Sequence, residues 1–396
     1  MKVVQINSCN NGSTGNIIIN INKTALYNDI ESYMYCVKSR TSIKRNIPDM
    51  KYISSIFEHN IHIQLSKYSG YECCFSYYGT KKLIKELESI NPDILHLHNL
   101  HNNFLNLKLL FTYIKRRNIK VVWTLHDCWG FTGGCPYFDI LNCSQWKLEC
   151  NKCDYKGYPK GKVDRTKKMY NLKKEWFSGI NHMMIVTPSK WLESLVKESF
   201  LKEYPTTVIN NGINLEKFHP RKSNFRSKYN IEDKFIILGV SFSWGFRKGL
   251  DVFERISRQL DDRYQIVLVG VTQSIAENLN KNIICIERTY NEEELAEIYS
   301  EADVFLNPTR EDNFPTVNIE SLACGTPVLT FNTGGSPECL DEKSGQIVDE
   351  KNIIDILKRL ISNNYDTDNC IERGKKFSAD DKFKEYIELY KKMMEI

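Results

Sequence analysis

This sequence predicts an α/β fold in which parallel β-sheets are covered by helices. Three observations carry the prediction. Short apolar runs alternate with longer stretches of helical periodicity over nearly the whole chain, the pattern of successive βαβ units. With 396 residues, the chain is long enough for two domains that each bury their own core. Its 41% hydrophobic and 26% charged residues describe a folded chain, because a disordered one has too few apolar groups to offset ordering entropy.

The first half is expected to place strands at 3–6, 94–97, 121–124 and 184–187. In the second half, apolar runs at 235–240, 265–270, 304–307 and 328–331 are bounded by polar or glycine signals. Between the halves, segment 208–220 contains Asn210-Asn211-Gly212, a turn signal in which glycine permits positive φ. The expected domains are therefore 1–205 and 206–375, followed by a terminal segment 376–396 that ends in a helix. No internal repeat or low-complexity tract interrupts this order.

Charge divides along the same line. Residues 1–205 carry 29 Lys and Arg against 17 Asp and Glu, a net +12, whereas 206–396 carry 25 against 32, a net −7. A basic half points to an anionic partner such as membrane headgroups, a polyphosphate or nucleic acid, with a merely solvated surface as the alternative. Met1-Lys2-Val3-Val4 runs straight into a strand pattern, and no apolar stretch nears the ~18 residues of a spanning helix, so a cytoplasmic location is expected. In that compartment the 13 cysteines are thiols or metal ligands.

Two segments carry chemistry. After the first strand, Asn10-Asn11-Gly12-Ser13-Thr14-Gly15-Asn16 leads into an apolar helical pattern, a layout that aims backbone amides and a helix dipole at an anion. It lacks both the dinucleotide spacing and the lysine of a P-loop, and a plain tight turn explains it equally well. The second segment runs from Asn307 to Val328. Pro315 suits a helix start and Gly325 a helix stop, giving about ten helical residues. Asp312 precedes that helix, Glu320 lies on it, and the first-turn amides of Thr316 and Val317 stay unpaired. Carboxylates around an electropositive helix end suit a nucleotide-diphosphate sugar, with phosphate on amides and hydroxyls on carboxylates.

The segment resembles the acidic pair and Ala-Cys-Gly-x-Pro-Val run of the retaining GT-B glycosyltransferases of family GT4. Further resemblances follow along the chain: the loop Asn10 to Asn16, His96-Leu97-His98-Asn99, Thr124-Leu125-His126-Asp127, Ser189-Lys190-Trp191-Leu192, Asn211-Gly212-Ile213-Asn214 and Gly334-Gly335-Ser336-Pro337-Glu338. The resemblance implies two Rossmann-like domains with a cleft between them, an acceptor side in 1–205, a donor side in 206–375, and a last helix crossing back to the first domain. It also implies transfer of a sugar from a nucleotide-diphosphate donor to an acceptor hydroxyl with retention, in bacterial capsule, O-antigen or exopolysaccharide synthesis. His126 and Asp312 would then serve catalysis. Gly12, Gly15, Arg247, Lys248, Asn313, Phe314, Thr316, Val317 and Glu320 would hold the donor, and no catalytic metal is implied.

Two positions depart from the family pattern. Asp312 stands where Glu is usual, with Asn313 in place of glycine, a residue that tolerates the left-handed region. Ser243 falls where the family carries its phosphate-binding Arg, which leaves Lys248 as the direct match and Arg247 as the second charge.

Other clusters keep alternatives open. His96, His98 and His101 lie close in sequence, but the spacing is a poor metal set, and His126 at a strand end is the better functional histidine. Cys135, Cys143, Cys150 and Cys153 follow Cys-x7-Cys-x6-Cys-x2-Cys, a candidate structural zinc site that would order a loop without a strong apolar pattern; packed thiols are the alternative. Residues 156–174 combine many lysines with Tyr158, Met169, Tyr170 and Leu172, a candidate contact for anionic headgroups at the inner face of the membrane. The expected partners are a sugar-nucleotide donor and a lipid-linked or saccharide acceptor, without nucleic acid, since no recognition motif for it is present. Competing classes are a GT-B-shaped sugar-nucleotide epimerase and a non-enzymatic carbohydrate- or nucleic-acid-binding module.

Overall fold

The computed structural model describes residues 1–45, 47–154 and 162–395. Contacts divide the chain into one unit of Met1–Asn210 with Lys382–Ile396 and a second of Asn211–Asp381. The strands of the first are β1 (Lys2–Asn7), β2 (Glu31–Val37), β3 (Met50–Ile53), β4 (Ile94–Leu97), β5 (Lys120–Thr124), β6 (Met183–Thr187) and β7 (Thr206–Val208). Those of the second are β8 (Phe235–Val240), β9 (Tyr264–Val269), β10 (Ile283–Ile286), β11 (Val304–Asn307), β12 (Val328–Phe331) and β13 (Gly345–Val348).

Among the described residues the sheets run β3-β2-β1-β4-β5-β6-β7 and β10-β9-β8-β11-β12-β13. Every strand pair is parallel. Parallel strands need a crossover, and helices supply it, so both faces of each sheet are covered. The strands read from the sequence are the most buried ones. Five others escaped the sequence reading: β3, β7 and β13 are short and carry polar residues or glycine, β10 is a four-residue apolar run at an edge, and β2 is mixed. Four of these are edge strands, which need no second buried face, and β2 interleaves Ser32, Tyr33 and Tyr35 with its apolar residues.

The first unit's core centres on Trp123, whose ring meets Phe177 edge-on at 4.9 Å while Phe177 packs on Phe111 at 4.6 Å. The Trp123 indole N–H donates to the His98 carbonyl at 3.0 Å, so the large ring is buried with its polar atom satisfied. The helix Ala379–Glu395 closes this unit: Tyr390 Oη lies 2.6 Å from His96 Nδ1, and Lys120 Nζ donates to the Met393 carbonyl at 2.8 Å. In the second unit, separate apolar clusters form on either side of the sheet, one under Phe305, Ile319 and Leu322 and the other under Ile237, Phe253 and Leu306.

In each sheet the winding reverses once, between β1 and β4 and between β8 and β11. Open parallel sheets form a crevice beyond the carboxyl ends of the strands at such a reversal. The chemistry-bearing loops occupy these two places.

Candidate active site

In the second unit, the loops after β8, β11 and β12 converge. The loop after β8 ends in a short turn, Phe246–Lys248, and Gly249 follows with φ of +72°. A Cβ on Gly249 would lie 2.4 Å from the Pro308 carbonyl, so only glycine lets this turn press against the loop after β11. Hydrogen bonds fasten the approach: Arg310 N donates to the Arg247 carbonyl at 2.8 Å, and the Arg247 guanidinium donates to the Glu311 carbonyl at 3.1 Å. The result brings Lys248 Nζ to 2.5 Å from Asp312 Oδ2 with both side chains partly shielded, an ion pair formed across 64 residues of chain.

Pro315 caps the helix Thr316–Ala323, and Gly325 follows with φ of +89°. The helix has eight residues, two fewer than the sequence signals suggest, because Cys324 already leaves helical geometry. Its first-turn amides, including those of Thr316 and Val317, have no intrahelical acceptors. Two asparagines aim this end. Asn307 at the tip of β11 donates to Asn318 Oδ1 at 2.8 Å, and the Asn318 amide donates to the Ser336 carbonyl at 3.3 Å. Neither is legible from sequence, since each contact joins separate elements.

Glu320 accepts from the Tyr299 hydroxyl at 3.2 Å and keeps some contact with solvent. Burial is the largest influence on it and pushes its carboxyl up to about 7, against the opposing hydrogen bonds from Thr316 and Tyr299. Asn313 corrects an expectation: it keeps negative φ. Its N–H bonds Asp312 Oδ1 at 2.9 Å and its carbonyl accepts from Gly335 N at 2.8 Å, so hydrogen bonds rather than a left-handed turn shape this loop. The Phe314 side chain is buried against Phe377, which leaves its backbone, not its ring, facing any ligand. Ser243 is exposed, with Phe242 beside it fully open to solvent.

The first unit builds its site from hydrogen bonds instead of charges. Gly12 has φ of +66° at the start of the helix Gly12–Tyr27, and a Cβ on Gly15 would fall 2.3 Å from the Asn10 carbonyl carbon. Asn7 ties the loops together, donating to the Cys9 carbonyl at 2.9 Å and accepting from Asn99 N at 3.2 Å. His126 shares a hydrogen bond with His98, Nε2 to Nδ1, at 3.2 Å. His98 in turn packs on His96, ring centroids 4.0 Å apart, and His96 is held by Tyr390 and by Thr124 at 2.8 Å. Burial lowers His126 to about 4 and holds His96 and His98 well below the usual imidazole range, so this array is neutral at pH 7. His101 differs. Burial pulls it down, but the hydrogen bond and charge of Asp127, 3.2 Å away, outweigh that and raise it.

The zinc expectation finds no support. Among the described residues no group of three or more His, Cys, Asp or Glu side chains is arranged to hold a metal ion, and Cys135, Cys143, Cys150 and Cys153 are within that set. An aromatic cluster orders their loop instead: Trp146 is buried, stacks on Phe138 at 5.0 Å and meets Phe131 at 5.2 Å. Cys150 Sγ accepts from Gly133 N at 3.2 Å, and burial pushes its thiol up to about 11 and that of Cys135 to about 12.

The basic stretch 156–174 is described only in part. Lys156, Tyr158 and Lys160 lie outside the described residues. Within the helix Thr166–Phe177, Met169 and Tyr170 face the core, and Lys173 is fully buried, its ammonium on the Trp129 carbonyl at 2.5 Å and over the Trp129 ring at 3.7 Å. A buried Glu72, which accepts from the Trp129 indole at 2.8 Å, shares this interior with it. Met169 and Tyr170 are therefore already covered by protein, whereas Leu172 is half-buried and Lys167, Lys168 and Lys174 are exposed.

A profile described as Glycosyltransferase Family 4 matches residues 48–217, and one described as Glycosyl transferases group 1 matches residues 221–377. The chain belongs to glycosyltransferase family 4. This GT4 chain is similar to a putative colanic acid biosynthesis glycosyl transferase, WcaC, of Escherichia coli K12, with 24% identity over 67% of this chain and 66% of that protein. It is also similar to an alpha-galactosylglucosyldiacylglycerol synthase of Streptococcus pneumoniae, 29% identical over 39% of this chain and 44% of that protein. The GT4 chain thus spans less than two thirds of the length of either relative. Anabaena Alr3699/HepE, solved in complex with UDP, superposes with a TM-score of 0.71 at 13% identity, covering 99% of this chain and 100% of that one. The fold is GT-B, two parallel-sheet α/β domains.

Proposed function

We propose that this GT4 chain is a retaining glycosyltransferase that moves a sugar from a nucleotide-diphosphate donor to the hydroxyl of a lipid-linked or saccharide acceptor. One observation carries the reading: the Lys248–Asp312 pair joins the loop after β8 to the loop after β11, which leads into the helix Thr316–Ala323 with its open N-terminus and Glu320. A diphosphate brings negative charge that Lys248, Arg247 and the first-turn amides of Thr316 and Val317 can neutralise without a metal. Glu320, once ionised, offers two acceptors to ribose hydroxyls. Asp312 faces the donor sugar and keeps Lys248 in place before the donor arrives.

In the reaction the bond between the anomeric carbon and the diphosphate oxygen breaks, and the acceptor oxygen forms its bond on the same face. The acceptor proton leaves to the departing diphosphate, whose growing charge is what Lys248 and the helix end stabilise most. The first unit supplies the acceptor side. Neutral His126 hydrogen-bonds a sugar hydroxyl without adding charge, in a site gathered by the loop of Gly12 and Gly15.

Relatives in surface-polysaccharide synthesis and a diacylglycerol-glycolipid synthase favour an acceptor of that kind. The work would take place at the cytoplasmic face of the membrane through peripheral contact. A screen of UDP-, GDP- and ADP-sugars against a polyprenyl-diphosphate sugar acceptor, read by product mass, tests the reading. Transfer with net retention by NMR supports it; isomerised sugar nucleotide without acceptor would replace it by an epimerase.

A further inference from the structure

The helix Ile56–Ser69 in the first unit is built inside out. His59, His62 and Ser66 face the interior, whereas Phe57, Ile61, Leu65 and Tyr68 are 76%, 41%, 45% and 57% exposed. Their spacing of four, four and three residues makes one continuous outward row. The helix cannot roll to hide that row, because its inner face is committed: His59 Nε2 bonds the Asn102 carbonyl at 2.8 Å and His62 Nδ1 bonds Ser76 Oγ at 2.7 Å. A neighbouring helix, Tyr77–Ile90, extends the patch. Its Gly79 N donates to Glu58 Oε1 at 3.1 Å, joining the two helix starts, and Tyr78 stands 80% exposed.

Cations frame this row at both ends. Lys162 lies over the Tyr68 ring at 4.6 Å with its backbone on the Lys67 carbonyl, and Lys81 lies over the Tyr77 ring at 4.5 Å beside Lys82. The carboxylates within the same segments are already engaged: Glu58 by Gly79 N, Glu86 by the Tyr35 hydroxyl, Glu88 by Arg116 and Asp164 by the amides of Cys153 and Thr166. Aliphatic and aromatic side chains in a row, with lysines at the rim and no unengaged acid, match the boundary of an anionic bilayer, where rings and chains sit among acyl groups and ammonium groups meet lipid phosphates. The +12 charge of residues 1–205 agrees in sign.

We propose that the helix Ile56–Ser69 docks this protein on an anionic lipid bilayer. The inference deepens the reading above by naming the surface that meets the lipid, and it rests on that reading only for the purpose of docking. The test is co-sedimentation of the full chain with vesicles of equal parts phosphatidylglycerol and phosphatidylcholine, against pure phosphatidylcholine, with UDP calorimetry on the same samples. The wild type should partition about tenfold more to the anionic vesicles at low salt, falling as salt rises. The combined variant Phe57→Ser, Ile61→Asn, Leu65→Gln, Tyr68→Ser should lose at least about tenfold of that partition with unchanged melting temperature and UDP affinity, since each side chain is exposed. Lys67→Gln with Lys162→Gln should remove the preference for anionic lipid. A wild type that stays in the supernatant, or a combined variant that sediments like it, overturns the proposal. So does a dimer in light scattering that the combined variant dissolves, which would make the row an interface between copies. Loss of UDP binding beside intact vesicle binding would overturn the donor reading and leave this one standing.

Discussion

The β1/β4 and β8/β11 crevices share one topology and hold opposite chemistry. Each lies where a parallel sheet reverses its winding, and each receives a loop with a glycine that lets backbone approach backbone. The first then fills with neutral, hydrogen-bonded imidazoles, the second with a Lys–Asp pair and a carboxyl poised near neutrality. Topology therefore sets where each unit gathers its polar loops, and the residues that line them set the charge: neutral imidazoles in the first unit, a Lys–Asp pair in the second. Under the function proposed above, the first lining suits an uncharged sugar or acceptor and the second a diphosphate.

The sharpest way to break this contrast is Lys248→Ala. Removing a cation that acts on a departing diphosphate should lower kcat by about 10²–10³, or roughly 3–4 kcal/mol, with little change in melting temperature. A variant that unfolds early but turns over normally when folded would make the pair structural.

Glu320→Gln comes next, with UDP binding weakened by about 1–3 kcal/mol in calorimetry. Its pH dependence has a definite sign. Since burial lifts the folded carboxyl from 4.5 to about 7, wild-type UDP affinity should rise as pH increases through 7, and the variant should be flat. The same shift makes the folded state hold its proton more tightly than the unfolded one. That contribution to stability is complete below 4.5 and is lost as pH rises through about 7, a decline that thermal melts of the variant should lack.

On the other side of the comparison, His126→Ala should cost about tenfold in kcat, the worth of one good hydrogen bond. Because burial holds His126 at about 4, its contribution should show no titration between pH 5 and 8. An activity step near 6.5 that vanishes in the variant would show a charged imidazole and end the contrast. The smallest effect is expected from Ser243→Arg, which adds a cation at an exposed position and should tighten UDP by at most about 1 kcal/mol. No change, or weaker binding, would place Ser243 away from the diphosphate.

Much of this was legible in the residues. The apolar runs located the buried strands because a strand covered on both faces has to be apolar throughout. Edge strands such as β7 and β13 escaped, since one side of them meets water and their short sequences carry polar residues. Asp312, Glu320 and Lys248 could be named from spacing and resemblance, but the 2.5 Å contact between Lys248 and Asp312 could not. The cysteine spacing did not reveal what packs in that loop, because spacing says nothing of where side chains point, and Trp146 stacks there with Phe131 and Phe138. In the basic stretch, composition counted Lys173 as surface charge, while packing put it under Trp129.

By itself, then, the sequence determined the α/β class, the order of strands and helices, the glycine turns and the charged residues available to a site, because these depend on local periodicity and residue chemistry. Only the tertiary structure decided which charges pair, which histidines become neutral, and which face of the helix Ile56–Ser69 meets solvent. Those outcomes depend on burial and on contacts between residues far apart in the chain. Desolvation of Glu320 and His126, and the inward hydrogen bonds of His59 and His62, exist only once the units are packed.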